Sequence, residues 1–201
     1  TSIYDRQKQA GAQFGAAFGL EVPQWFAPDG TADVFSWRRS VDFVHVGNEA
    51  KAVRNAVGLG DISSFAKYEV SGSGAAAWLD QLLAAAIPPI GRMTLAPMLK
   101  DDGKIIGDFS LARLGYTRFL IIGSGIAESY HMRWFLSHLP DDGSVQVKSL
   151  GLDLVGLTIA GPKAREVLQK CCKTDVSHDA MGFMAVREMD VGMTPAIIGR
   201  V

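Results

Sequence analysis

Residues 100 to 113, K-D-D-G-K-I-I-G-D-F-S-L-A-R, carry an acid where local rules disfavour one. Asp108 sits between Ile106 and Phe109 in a stretch with strand character, and strands are depleted of Asp. A carboxylate in that position either faces water or waits for a ligand. Strand alternation favours water: Ile106, Asp108 and Ser110 share one face, and Ile105, Gly107, Phe109 and Leu111 share the other.

The other chemically capable residues give weaker signals. G-S-G at 123 to 125 follows a strand and opens a helix, so Ser124 stands at the positive end of a helix dipole. No G-x-G-x-x-G accompanies it, and a tight strand-to-helix turn is the simpler reading. His45, His131, His138 and His178 are scattered without metal-ligand spacing, so no metal site is expected. No Ser-His-Asp arrangement follows from spacing, and His131 reads as a packed or surface residue in mid-helix. Cys171 and Cys172 are adjacent and are the two cysteines present. A structural disulfide is not expected, and Cys171 reads as a buried helix residue in a reduced, cytoplasmic compartment.

The elements that must position these groups follow from periodicity. One helix is expected over 3 to 18, with Phe14 and Phe18 on one face and Gly19 as its stop. An ordered, aromatic-anchored loop follows over 19 to 36, then a helix over 41 to 57 carrying Phe43, Val46 and Val53 on one side. A strand is expected over 63 to 72. Ser73 would cap a helix over 74 to 86. The strand over 94 to 99 contains Pro97 and is expected at an edge or a bulge. The stretches 104 to 113 and 118 to 123 read as a hairpin around Gly115, followed by a helix opening at Ser124. Strands at 145 to 148, 154 to 160, 184 to 189 and 196 to 201 complete the chain. Between them lies a helix whose inner face is Ala164, Val167, Leu168 and Cys171. This irregular mixture, without β-α-β alternation, implies an α+β fold with antiparallel sheets flanked by helices. The chain ends at Val201 within an apolar strand pattern, which is expected of a fragment.

Composition excludes some classes of function. Apolar residues make up 48% and charged residues 20% of the chain, an ordinary globular balance. The formal net charge of −1 gives no electrostatic footprint for nucleic acid. No apolar run approaches the roughly 20 residues of a membrane span, and the N-terminal run lacks a signal-peptide core.

Three ordered stretches resemble the folate-binding domain of the glycine-cleavage T-protein (aminomethyltransferase) family: G-L-G-D-I-S-S-F-A-K-Y-E-V-S-G at 58 to 72, M-L-K-D-D-G-K-I-I-G-D at 98 to 108, and L-T-I-A-G-P-K-A at 157 to 164. The N-terminal Y-D-R-Q-K-Q-A-G-A-Q-F-G-A-A-F-G and W-F-A-P are most similar to the branch that forms the C-terminal half of dimethylglycine and sarcosine dehydrogenases. The resemblance implies the aminomethyltransferase folate-binding fold, truncated before a C-terminal barrel. Its two units would be 1 to 57 plus 143 to 201, and 58 to 142. It implies tetrahydrofolate as cofactor, with FAD only in a preceding domain outside this chain, and a small N-methyl amine as one-carbon donor.

By the same resemblance Asp108 is the catalytic and folate-facing acid, while Gly107 replaces a second acid beside it. Phe65 and Leu95 stand where a Met and a Tyr line the folate pocket. Gly123 stands where an Asn contact is common, and Ser124 adjoins it. The departures at Gly107, Phe65 and Leu95 motivate a second reading, a scaffold or binding module with a decayed folate site. A third is an aminomethyltransferase or demethylase without a flavin partner.

Overall fold

Gly11 decides how the N-terminal region folds. Its φ is +87°, and a Cβ built on it would lie 2.0 Å from the carbonyl oxygen of Ala27. Only glycine tolerates both conditions. In the computed structural model, which describes residues 2–17, 19–28, 30–32 and 34–201, the chain therefore leaves a short helix and turns into a hairpin. Helix α1 (Tyr4–Gln9) is followed by β1 (Ala12–Ala17), which pairs antiparallel with β2 (Leu20–Phe26). One helix over 3 to 18 and a loop over 19 to 36 are thus corrected. Cross-strand pairing overrides the helix preference of A-Q-F-G-A-A. Phe14 stacks on Tyr4 with ring centroids 4.5 Å apart, whereas Phe18 lies outside the described residues.

Helix α2 (Asp42–Asn55) forms where periodicity places it, yet none of its residues is buried. Strand β3 (Gly58–Asp61) pairs antiparallel with β9 (Leu157–Ala160). Asp61 ends β3 and organises the turn behind it. Its carboxylate accepts from the Ser63 amide at 2.8 Å and from Gln7 Nε2 at 2.8 Å. Burial pushes the Asp61 pKa up, but the bonds from Ser63 and Gln7 outweigh it and hold the carboxyl below its ordinary value.

The second unit is built on a five-stranded antiparallel sheet in the order β5-β6-β7-β4-β8. The strands are β4 (Ala66–Ser71), β5 (Arg92–Leu99), β6 (Ile105–Arg113), β7 (Arg118–Gly123) and β8 (Gln146–Ser149). As expected, Pro97 lies in an edge strand, where a missing amide costs no ladder bond; the bulge near it falls on the facing strand, β6. The β6–β7 hairpin turns at the expected place.

One face of this sheet packs on α3 (Ala75–Leu82) and α4 (Glu128–Ser137). Tyr68, Phe109, Leu111, Phe119 and Ile121 from the strands meet Leu79 and Phe135 from the helices. Each such apolar side chain contributes roughly 1.5–3 kcal/mol by leaving water. Gly74, not Ser73, is the N-cap of α3, and no side chain caps it.

On the opposite face, Met93, Ala112 and Leu120 cluster with Val186 of β10 (Val186–Val191) and Ile197 of β11 (Thr194–Gly199). Helix α5 (Ala164–Cys171) ends at an exposed Cys171, and Cys172 is the buried thiol, packed with Val176 and Met181. This corrects the expectation for Cys171: the chain leaves the helix there, and the following residue turns inward.

The compact units are residues 1–64 with 155–167, and 65–154 with 168–201. They differ from the expected 1 to 57 plus 143 to 201 and 58 to 142. Strand β8 pairs with β4, and residue 185 bridges Arg92, so both belong with the five-stranded sheet.

Candidate functional site

Strand register converts the sequence around Asp108 into a surface. Asp108 faces Pro97 across the β5–β6 ladder. In the adjacent row Leu95 faces Ser110, Ser110 faces Ile122, and Ile122 faces Lys67. Directly opposed residues share a face, so Leu95, Ser110, Ile122 and Lys67 run side by side across four strands. The next row, Met93, Ala112, Leu120 and Glu69, continues that face toward its covered end. In the other direction the face opens. Leu95 is 66% exposed, Phe65 is 46% exposed, and Asp108 and Ser124 are exposed. Ser124 and Phe65 follow immediately on the Gly123↔Ala66 pair, so they extend the row of Asp108 just past the strand ends.

The sheet thus gathers Phe65, Leu95, Asp108 and Ser124 on one open shelf. Among the described residues the Asp108 carboxylate makes no hydrogen bond or ion pair. Ser124 is the N-cap of a 3₁₀ turn, Gly125–Ala127, and its side chain makes no capping bond.

Gly123 differs from the other four. A Cβ there would lie 2.6 Å from Phe109 Cδ1, on the core side of the sheet. Gly107 behaves alike: its Cβ would meet Phe109 Cζ at 2.4 Å. The two glycines therefore flank a single aromatic ring. Phe109 fills the space that both side chains would need.

The bulge refines the alternation. Met98 faces Gly107 and Leu99 faces Ile105, so Ile106 is the additional residue on β6. Ile106 is 7% exposed and joins the core, rather than sharing the face of Asp108 as strict alternation requires.

Sequence reasoning missed two groups around this shelf. Lys67 is 3% exposed, and its Nζ donates to the carbonyl oxygen of Phe65 at 2.7 Å. The alternating A-K-Y-E-V reads as a strand with a solvated polar face, and nothing in that pattern signals a buried lysine. Behind the shelf, His131 Nδ1 lies 3.0 Å from the Tyr68 hydroxyl, and the imidazole stands 4.7 Å from the Phe109 ring. Burial lowers the His131 pKa, partly offset by a bond to the Ile106 backbone. Burial, assisted by the charge of Glu128, raises that of Tyr68. Both side chains are therefore neutral near pH 7. The core placement of His131 agrees with the packed reading of its sequence position.

Among the described residues no group of His, Cys, Asp or Glu is placed to hold a metal ion, and no helix is long and apolar enough to cross a membrane.

The fold has a counterpart among solved structures. It matches the glycine cleavage system aminomethyltransferase T from Bartonella henselae with a TM-score of 0.76 at 24% identity, over 94% of this chain and 47% of that one. Sequence gives the family: residues 3–201 match the GCVT N-terminal domain, and the chain belongs to that family. Human mitochondrial dimethylglycine dehydrogenase is 30% identical over 100% of this chain and 23% of its own length. The aminomethyltransferase of Bacillus subtilis (strain 168) is 30% identical over 85% of this chain and 47% of its own length. The chain therefore spans under half the length of each of these relatives.

Proposed function

We propose that this domain binds tetrahydrofolate and supports one-carbon transfer within a longer, flavin-dependent N-methyl amine dehydrogenase of the dimethylglycine or sarcosine type. The observation that carries this reading is the open shelf on which Asp108 stands beside Leu95 and Phe65. A pterin is a flat heteroaromatic ring edged with N–H donors. Leu95 and Phe65 offer exposed apolar surface to such a ring, and Asp108 offers an acceptor with no competing partner among the described residues. The residues present fit the group.

Bound there, tetrahydrofolate supplies the nucleophilic nitrogens that take up a one-carbon unit. The chain's own residues do the rest. Asp108 would hold the cofactor by accepting from an N–H at its reactive nitrogen, and its charge would favour a positive charge there. Leu95 and Phe65 exclude water from one side, which strengthens that interaction. Ser124 presents a hydroxyl at the rim. Gly123 contributes backbone only. Oxidation of the amine to an iminium or formaldehyde belongs to an FAD domain outside this chain, and a C-terminal barrel would close the shelf. The similarity to dimethylglycine dehydrogenase over the full chain supports that setting.

The test is Asp108→Asn in the full-length protein, with the partition between free formaldehyde and folate-coupled product as readout. Amine oxidation should keep its rate while product shifts to free formaldehyde. An unchanged partition would sink the assignment of Asp108. A second reading, a scaffold with an altered folate site, draws on Phe109 occupying the space of side chains at 107 and 123. It predicts no tetrahydrofolate binding at all. A stand-alone aminomethyltransferase or demethylase is the third, and absence of FAD from the purified full-length protein would favour it.

A further inference from the structure

We infer that His131 is a positioning residue for Asp108, acting through the β6 bulge; its functional consequence rests on the folate reading above. The pairing around Asp108 is one-sided. The β6–β7 ladder stops at Ser110↔Ile122, so residues 105 to 109 pair only with the edge strand β5. Within that stretch the bulge leaves Ile106 without an opposed residue. An unpaired residue frees backbone groups and lets the strand bend, so the direction of the next side chains depends on what holds the bulge.

His131 supplies that hold from α4. It is 1% exposed, its Nδ1 stands 3.0 Å from the Tyr68 hydroxyl, and its Nε2 faces the Ile106–Gly107 backbone. With Nδ1 at the Tyr68 hydroxyl, Nε2 is the ring nitrogen left to face the backbone of Ile106 and Gly107. Nε2 also lies 3.0 Å from where a Cβ of Gly107 would stand, so the imidazole reaches the backbone directly before Asp108. Phe109, the residue directly after it, packs on the same imidazole at 4.7 Å. Asp108 is thus fixed on the shelf side by contacts to both of its neighbours on the core side.

Hydrogen–deuterium exchange of the full-length protein, read by mass spectrometry, tests this without folate. His131→Leu removes the Tyr68 bond and the Nε2 contact with the bulge at similar volume. Tyr68→Phe removes one hydroxyl and covers the case in which the Leu variant fails to fold. His131→Gln places an amide donor near the Nε2 position. Exchange in 105 to 109 should rise about tenfold in His131→Leu and Tyr68→Phe, the scale of one buried hydrogen bond lost, and stay unchanged in 118 to 123. His131→Gln should restore most of the protection. No change, or an equal rise across the whole sheet, would overturn the inference.

Tetrahydrofolate titration then reads the functional link. His131→Leu should weaken binding no more than Asp108→Asn does, and the double variant should be no weaker than Asp108→Asn alone. Additive losses would refute action through Asp108. A wild-type protein that binds no tetrahydrofolate would overturn the folate reading, and exchange alone would then decide the positioning.

Discussion

Gly107→Ala adds one methyl group to a place where the core has no room. The new Cβ would stand 2.4 Å from Phe109 Cζ, 2.6 Å from Phe109 Cε2 and 3.0 Å from His131 Nε2. Real Cβ atoms do not approach carbon that closely, so Phe109 must rotate or β6 must shift. Phe109 is 1% exposed and packs at 5.8 Å from the Phe135 ring, which leaves it little freedom to yield. Overpacking of this kind costs about 1–3 kcal/mol. For a chain of this length that corresponds to a fall in Tm of roughly 2–12 °C.

Phe109→Leu shortens the ring and should relieve the clash. Alone it destabilises by loss of contacts; combined with Gly107→Ala it should cost less than the sum by roughly 0.5–3 kcal/mol, the coupling expected of residues in contact. Urea denaturation of the wild type, the two single variants and the double variant measures this cycle. A neutral Gly107→Ala, or strict additivity with Phe109→Leu, would refute the argument that Phe109 fills the space beside Gly107.

Gly11→Ala should destabilise by roughly 2–5 kcal/mol, from the left-handed backbone and the clash with Ala27 together, with loss of the β1–β2 hairpin visible by circular dichroism. The depressed pKa of His131 has a signed consequence for stability. The unfolded chain binds the additional proton, so the contribution is full above the unfolded value of about 6.5 and is lost as pH falls below it toward the folded value. His131→Gln should flatten the denaturation profile on that acid side. Asp61 acts in the other pH range, because its folded pKa is lowered. Its contribution is full above the unfolded value of about 3.9 and is lost as pH falls below that and through the lower folded value, and Asp61→Asn should remove that part of the acid-unfolding slope.

Much of the sheet bearing Asp108 was legible because its signals are local. Pro97 placed β5 at an edge, Gly115 marked a hairpin, and alternation set Gly107, Phe109 and Leu111 apart from Asp108. The N-terminal hairpin was not legible. Helix propensity and a spacing of four between Phe14 and Phe18 imitate a helix, while the deciding contact is between Gly11 and a carbonyl sixteen residues away. Likewise, nothing near Ile106 signals a bulge; it appears only when β5 and β6 are aligned. The site was legible only as a position. Asp108 emerged as a misplaced acid, whereas Lys67, Tyr68 and His131 look ordinary in a one-dimensional pattern. Their significance comes from burial by segments far away in the chain.

Calorimetric titration of the full-length protein with tetrahydrofolate, for wild type and Asp108→Asn side by side, tests the central claim most directly. Saturable binding by the wild type, weakened about tenfold or more when the acceptor charge is removed, is the expected result. Absence of binding to the wild type, or equal affinity in Asp108→Asn, would contradict it.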